Sequence, residues 1–94
     1  MCGITGFFKN GSFNKKEAKD QIYLMNNELI HRGPDDYGYW IDEKKGIALA
    51  HRRLSIIDLS KAGSQPMLSI SGRYVISFNG EVYNFQSIRK KLNN

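Results

Sequence analysis

The chain has 94 residues, 40% of them hydrophobic and 24% charged, with a formal net charge of +5 and a single cysteine, Cys2. That balance is ordinary for a soluble globular protein, and the length suffices for one small domain at most. One cysteine excludes an intrachain disulfide, and the apolar residues 2–8, broken by Gly3 and Gly6, are too few for a secretory signal or a membrane span. A cytoplasmic location and no membrane partner are therefore expected. The basic residues are scattered, with Lys15, Lys16 and Lys19 early, Arg52 and Arg53 midway, and Arg89, Lys90 and Lys91 last. No block reaches five like charges and no aromatics are interleaved at stacking intervals, so nucleic acid is not an expected partner.

Residues 2–9 read as a strand, being aromatic and β-branched with two glycines that admit a close backbone. A turn at 10–12 leads to a helix capped by Asn14, with Glu17 three residues on. Ala18, Ile22, Met25 and Leu29 share one helical face, and Gly33-Pro34 stops the helix. Residues 37–42 and 46–51 form a hairpin, 54–57 a further short strand and 61–66 a loop. Residues 73–78 alternate, with Tyr74, Ile76 and Phe78 on one face, so a strand is expected there, ended by Asn79-Gly80. Asn84 caps a last helix in which Phe85, Ile88 and Leu92 are the apolar positions. The order β, α, several β, α is an α+β pattern whose sheet needs cover. The last helix closes the chain before further strands complete that sheet, so the segment reads as the front part of a larger domain.

Cys2 directly follows the initiator methionine. A residue this small in second position normally permits methionine removal, which would put a thiol and a free α-amine on one carbon. Free thiols titrate near ~8.5 and α-amines near ~7.7–8.0, so the pair can exchange a proton near neutral pH. The amine can then serve as general base for the sulfur. Taken alone, a cysteine there is more often a small buried hydrophobe near a chain end, and it is the rest of the chain that reverses this. His31 and His51 have neither a metal-ligand spacing nor a carboxylate cluster beside them, so no metal is expected.

Five segments stand in order along the chain: Cys2-Gly3-Ile4; His31-Arg32-Gly33-Pro34-Asp35-Asp36; His51-Arg52-Arg53-Leu54-Ser55-Ile56-Ile57-Asp58; Gly63-Ser64-Gln65-Pro66-Met67; and Phe78-Asn79-Gly80-Glu81-Val82-Tyr83-Asn84. Together they resemble the N-terminal glutaminase domain of glutamine-hydrolysing asparagine synthetases. That domain is a class II glutamine amidotransferase of the N-terminal-nucleophile hydrolases, and the resemblance runs over essentially the whole chain. It implies an αββα sandwich of which residues 1–94 are only the first part. The rest of the amidotransferase domain and an ATP-dependent synthetase domain would lie outside the segment.

The resemblance also implies site residues. Cys2 would be the nucleophile that attacks the amide carbon of L-glutamine. Asn79 and Gly80 would supply the oxyanion donors, a side-chain amide and a backbone N–H. Arg53 would grip the substrate carboxylate through its planar guanidinium, with Leu54, Ser55, Ile56 and Ile57 lining the pocket. Arg52 would lie at the surface. Glu81 would hold the substrate ammonium or act as a carboxylate at the helix entry; both readings stand. The 31–35 stretch would form a rigid loop bracing the site. No cofactor is implied for this segment, while ATP and Mg are implied for the synthetase domain, which would use the ammonia to convert aspartate to asparagine. An amidotransferase with another acceptor, or a segment that keeps the motifs without catalysis, are the alternatives, and oligomeric state is not legible.

Overall fold

A computed structural model describes residues 2–11, 13–54, 63–80 and 83–93. Three strands form an antiparallel sheet in the order β1-β3-β2, where β1 is Gly3–Phe8, β2 is Asp36–Asp42 and β3 is Ile47–Arg53. The hairpin β2–β3 matches the expected pair within a few residues, and β3 runs two residues further, through Arg53. As the central strand it pairs on both sides: Ile4 and Gly38 oppose His51, and Phe7 and Ile41 oppose Ala48.

Helix α1 (Lys15–Asn27) covers one face of this sheet. Asn14 is its N-cap, and its side chain accepts from the N–H groups of Lys16 and Glu17 at 2.9 and 3.3 Å, filling two of the orphan donors of the first turn. The core is small: Ile22, Ala48 and Ala50 are fully buried, with Phe7, Met25 and Ile41 packed around them. Two alanines on β3 let the helix sit close, and Ile22 fills the space between. Directly opposed strand residues share a face, so Tyr37 and Tyr39 lie on the helix side. There Tyr23 meets Tyr37 edge to face at 6.2 Å, and the Lys19 ammonium lies 5.9 Å from the Tyr39 ring.

Several expectations need correction. The helix ends at Asn27, and turns carry residues 28–32 to Gly33, whose N–H bonds Leu29 and Ile30 carbonyls. Leu29 thus leaves the helical face and seats on β1, where a Cβ at Gly3 would come within 3.1 Å of its own Cβ. The strand expected over 73–78 shrinks to β5 (Val75–Ile76), paired with an unexpected β4 (Met67–Leu68). Tyr74, Ile76 and Phe78 alternate as a strand should, yet all three are exposed; among the described residues no layer covers them. Asn84 does precede α2 (Phe85–Leu92), but its side chain makes no capping bond, and Phe85, Ile88 and Leu92 are exposed. Residues 55–57 of the short strand expected over 54–57, and residues 61 and 62 of the expected loop, lie outside the described residues. The architecture is mixed α and β, with antiparallel sheets and two helices.

Candidate active site

The C-terminal end of β3 gathers three buried polar side chains. His51, Arg52 and Arg53 are successive and nearly inaccessible, at 1%, 7% and 7% exposure. Such burial requires partners, since an unpaired buried charge is costly. Arg52, expected at the surface, is instead enclosed: its Nε donates to the Gly33 carbonyl at 3.0 Å and its guanidinium lies 5.2 Å from the Tyr37 ring. It ties the 31–35 loop to the central strand. The Asp35 N–H adds a bond to the Arg53 carbonyl at 3.0 Å, and Pro34 bridges to Arg53.

Cys2 precedes β1, which pairs with this same end of β3, and is half-buried. The Leu54 N–H donates to Cys2 Sγ at 3.3 Å, and Sγ lies 3.9 Å from the Leu54 carbonyl. A backbone donor aimed at sulfur complements negative charge there. Arg32 Nε donates to the Cys2 carbonyl at 3.3 Å and so fixes the backbone that carries the thiol. Cys2, Gly3, Ile4, Leu29, Arg32 and Asn79 line one cleft of about 140 Å³. That is small beside the ~300–1,000 Å³ of ordinary ligand clefts.

Asn79 reaches this cleft by an unusual route. After β5 the chain leaves its ladder, and residues 77–79 hang from the sheet by side-chain bonds. Ser77 Oγ donates to the Ala50 carbonyl at 3.1 Å, and His51 Nε2 lies 3.1 Å from the Phe78 carbonyl. The Phe78 N–H donates to Gln65 Oε1. Burial pushes the His51 imidazole below its ordinary titration range; the Phe78 carbonyl opposes this, the Arg53 charge adds to it, and the Asp36 carboxylate opposes it.

The structure thus brings Cys2, Leu54 and Asn79 together. Gly80 follows Asn79, close under the Phe78 ring, and is not part of the cleft wall. Arg53 is buried beside the 63–66 stretch, where a Cβ on Gly63 would come within 2.5 Å of its Nη2, and it does not line the cleft either. Ser55, Ile56, Ile57 and Glu81 lie outside the described residues. Leu29 and Arg32 are cleft residues that the sequence did not single out. The signal for Arg32 was its place inside the 31–36 motif; Leu29 carried none, because the helical pattern assigned it to the core. Among the described residues no group of three or more His, Cys, Asp or Glu side chains is placed to hold a metal, and no helix is long and apolar enough to cross a membrane.

Comparison with known proteins gives one consistent result. The glutamine amidotransferase domain family matches residues 1–94. The chain is 42% identical to the glutamine-hydrolysing asparagine synthetase 1 of Bacillus subtilis, over 98% of the chain and 14% of that protein. It is 36% identical to the glutamine-hydrolysing asparagine synthetase B of Escherichia coli, over 95% of the chain and 15% of that protein. It is 32% identical to the amidase chry2 of Gibberella zeae, over 98% of the chain and 15% of that protein. The chain therefore spans only a small part of the length of each of these relatives. No solved structure matches it.

Proposed function

The chain belongs to the glutamine amidotransferase domain family, and we propose that it carries the nucleophile and an oxyanion donor of a glutaminase that frees ammonia from L-glutamine. The observation that carries this reading is the meeting of Cys2 and Asn79, 77 positions apart in sequence, on one cleft.

With Met1 removed, the Cys2 α-amine takes the thiol proton and the thiolate attacks the glutamine amide carbon. The carbonyl electrons move to oxygen, where the Asn79 side-chain amide stabilises the oxyanion. Collapse breaks the C–N bond, and the leaving nitrogen takes the proton from the α-ammonium to depart as ammonia. Water then attacks the thioester with the same amine as base, releasing glutamate and restoring the thiol. Arg53, with Leu54 to Ile57 and Glu81, would bind the amino-acid end of the substrate. The β1-β3-β2 sheet under α1 would be one α–β half of an αββα sandwich.

The named synthetase relatives support a destination for the ammonia. In a longer protein it would pass to a synthetase domain that uses ATP and Mg to amidate aspartate. A second reading, an amidotransferase with another acceptor, draws on the relative named amidase chry2. The test replaces Cys2 with Ala in the protein and compares glutamine-driven with ammonia-driven product formation. Loss of the first with retention of the second is expected. Equal loss of both contradicts the assignment.

A further inference from the structure

We propose that His51 is a positioning residue for the oxyanion donor: its Nε2–H holds the Phe78 carbonyl and thereby sets the direction in which Asn79 leaves the chain. The inference rests on the reading of Asn79 as a donor to the reacting oxygen, and adds a residue to which neither the motif nor the family match gives a role.

The Phe78 carbonyl and the Asn79 nitrogen belong to one peptide unit, which is planar. Fixing that oxygen fixes the plane, and the plane fixes where the Asn79 Cα and side chain begin. A paired strand would do this through its ladder, but residues 77–79 lie outside the strands. The hold comes from Ser77 on Ala50, Gln65 on the Phe78 N–H and His51 on the Phe78 carbonyl. Of these three, only His51 acts on the peptide unit that includes Asn79. It is also the most rigidly placed, being 1% exposed on the central strand.

The chemistry of the ring agrees with a fixed role. A carbonyl accepts only, so Nε2 must carry the hydrogen. Nδ1 is buried with no hydrogen-bond partner among the described residues. A proton there would create a buried cation without an acceptor among the described residues, and the Arg53 charge lies near, offset in part by Asp36. The described residues of the facing segments, 63–66 and 77–79, bring no charge. The ring is therefore a neutral donor in one tautomer, a post rather than a proton carrier.

The test uses His51→Gln, whose amide nitrogen can reach near the Nε2 position, and His51→Leu, which cannot donate. Ammonia release from glutamine is measured for both and for the unaltered protein, and the Asn79 amide resonance is recorded by NMR. His51→Leu is expected to lower kcat by roughly 10–100-fold with KM little changed, the scale of a catalytic group displaced by about 1 Å. His51→Gln should restore most of kcat, and the Asn79 resonance should move in the Leu variant and return in the Gln variant. Unchanged kcat in His51→Leu, or loss in kcat and KM alike without rescue by Gln, overturns the inference. If His51→Leu does not fold, the ring 15N shifts of the unaltered protein decide, and a hydrogen found on Nδ1 overturns it. If the unaltered protein releases no ammonia, the glutaminase reading has failed, and the Asn79 resonance alone still decides whether His51 orients that residue.

Discussion

Replacing Gly33 with Ala probes the join between the 31–35 loop and the central strand. The added Cβ would come within 2.5 Å of both the Arg52 oxygen and the Arg53 nitrogen. Carbon packs best at ~3.5–4.0 Å, and neither neighbour is a side chain that can swing away, so the loop must retreat by about 1 Å. Overpacking of this kind costs roughly 1–3 kcal/mol. The same retreat stretches the 3.0 Å bond from Arg52 Nε to the Gly33 carbonyl. A hydrogen bond from a charged group is worth about 1.5–3 kcal/mol, and because one displacement causes both losses the total is about 2–4 kcal/mol. Urea unfolding followed by Trp40, the one tryptophan, reports on β2, which the loop feeds. The expected midpoint falls by about 1–2 M, given a slope of ~2 kcal/mol per molar urea, the middle of the range for small proteins. Glutamine turnover should fall as well, because the loop carries Arg32, which holds the Cys2 carbonyl. A midpoint equal to that of the unaltered protein would refute the reasoning, since it would mean the loop is not seated on the β3 backbone.

Asn79→Ala removes the proposed oxyanion donor and should lower kcat for glutamine hydrolysis by roughly 10²–10³ while urea stability holds, as read from steady-state kinetics. Ile22→Ala empties the centre of the small core and should cost about 2–5 kcal/mol in the same urea experiment, because Ile22 is fully buried between α1 and β3. Stability should also depend on pH through His51. Burial holds its folded value below the ordinary 6.5, so the unfolded chain binds the extra proton first. The contribution is complete above pH 6.5 and is lost as pH falls through the lowered folded value, and urea midpoints for the protein and its His51→Gln variant should diverge over that window. A midpoint that rises on acidification there would contradict the burial of the neutral ring.

Elements with strong local signals were legible in the sequence. Asn14 announces the start of α1 because its side chain fills backbone donors whatever lies beyond. The β2–β3 hairpin follows from its two extended runs and polar turn. The terminus of α1 was not, because Gly33-Pro34 marks where a helix can no longer continue, whereas the chain already turns at Glu28 so that Leu29 can reach Gly3. Period alone could not say that residues 77–79 leave their strand, since side chains from β3 and Gln65 replace the ladder. Arg52 shows the same limit: the resemblance suggested the surface, and a carbonyl and a ring some 15 to 19 positions earlier enclose it. Of the residues that line the cleft, the motifs pointed to Cys2 and Asn79, while the presence of Arg32 and Leu29 there depends on how the chain folds back after α1.

The central claim is that the Cys2 sulfur attacks the glutamine amide. The most direct measurement is mass spectrometry of the N-terminal peptide after acid quenching during turnover of labelled glutamine. A labelled glutamyl group on Cys2, present during turnover and absent without substrate, is the predicted result. Steady ammonia release with no acyl group on Cys2, continuing undiminished after Cys2→Ala, would contradict it.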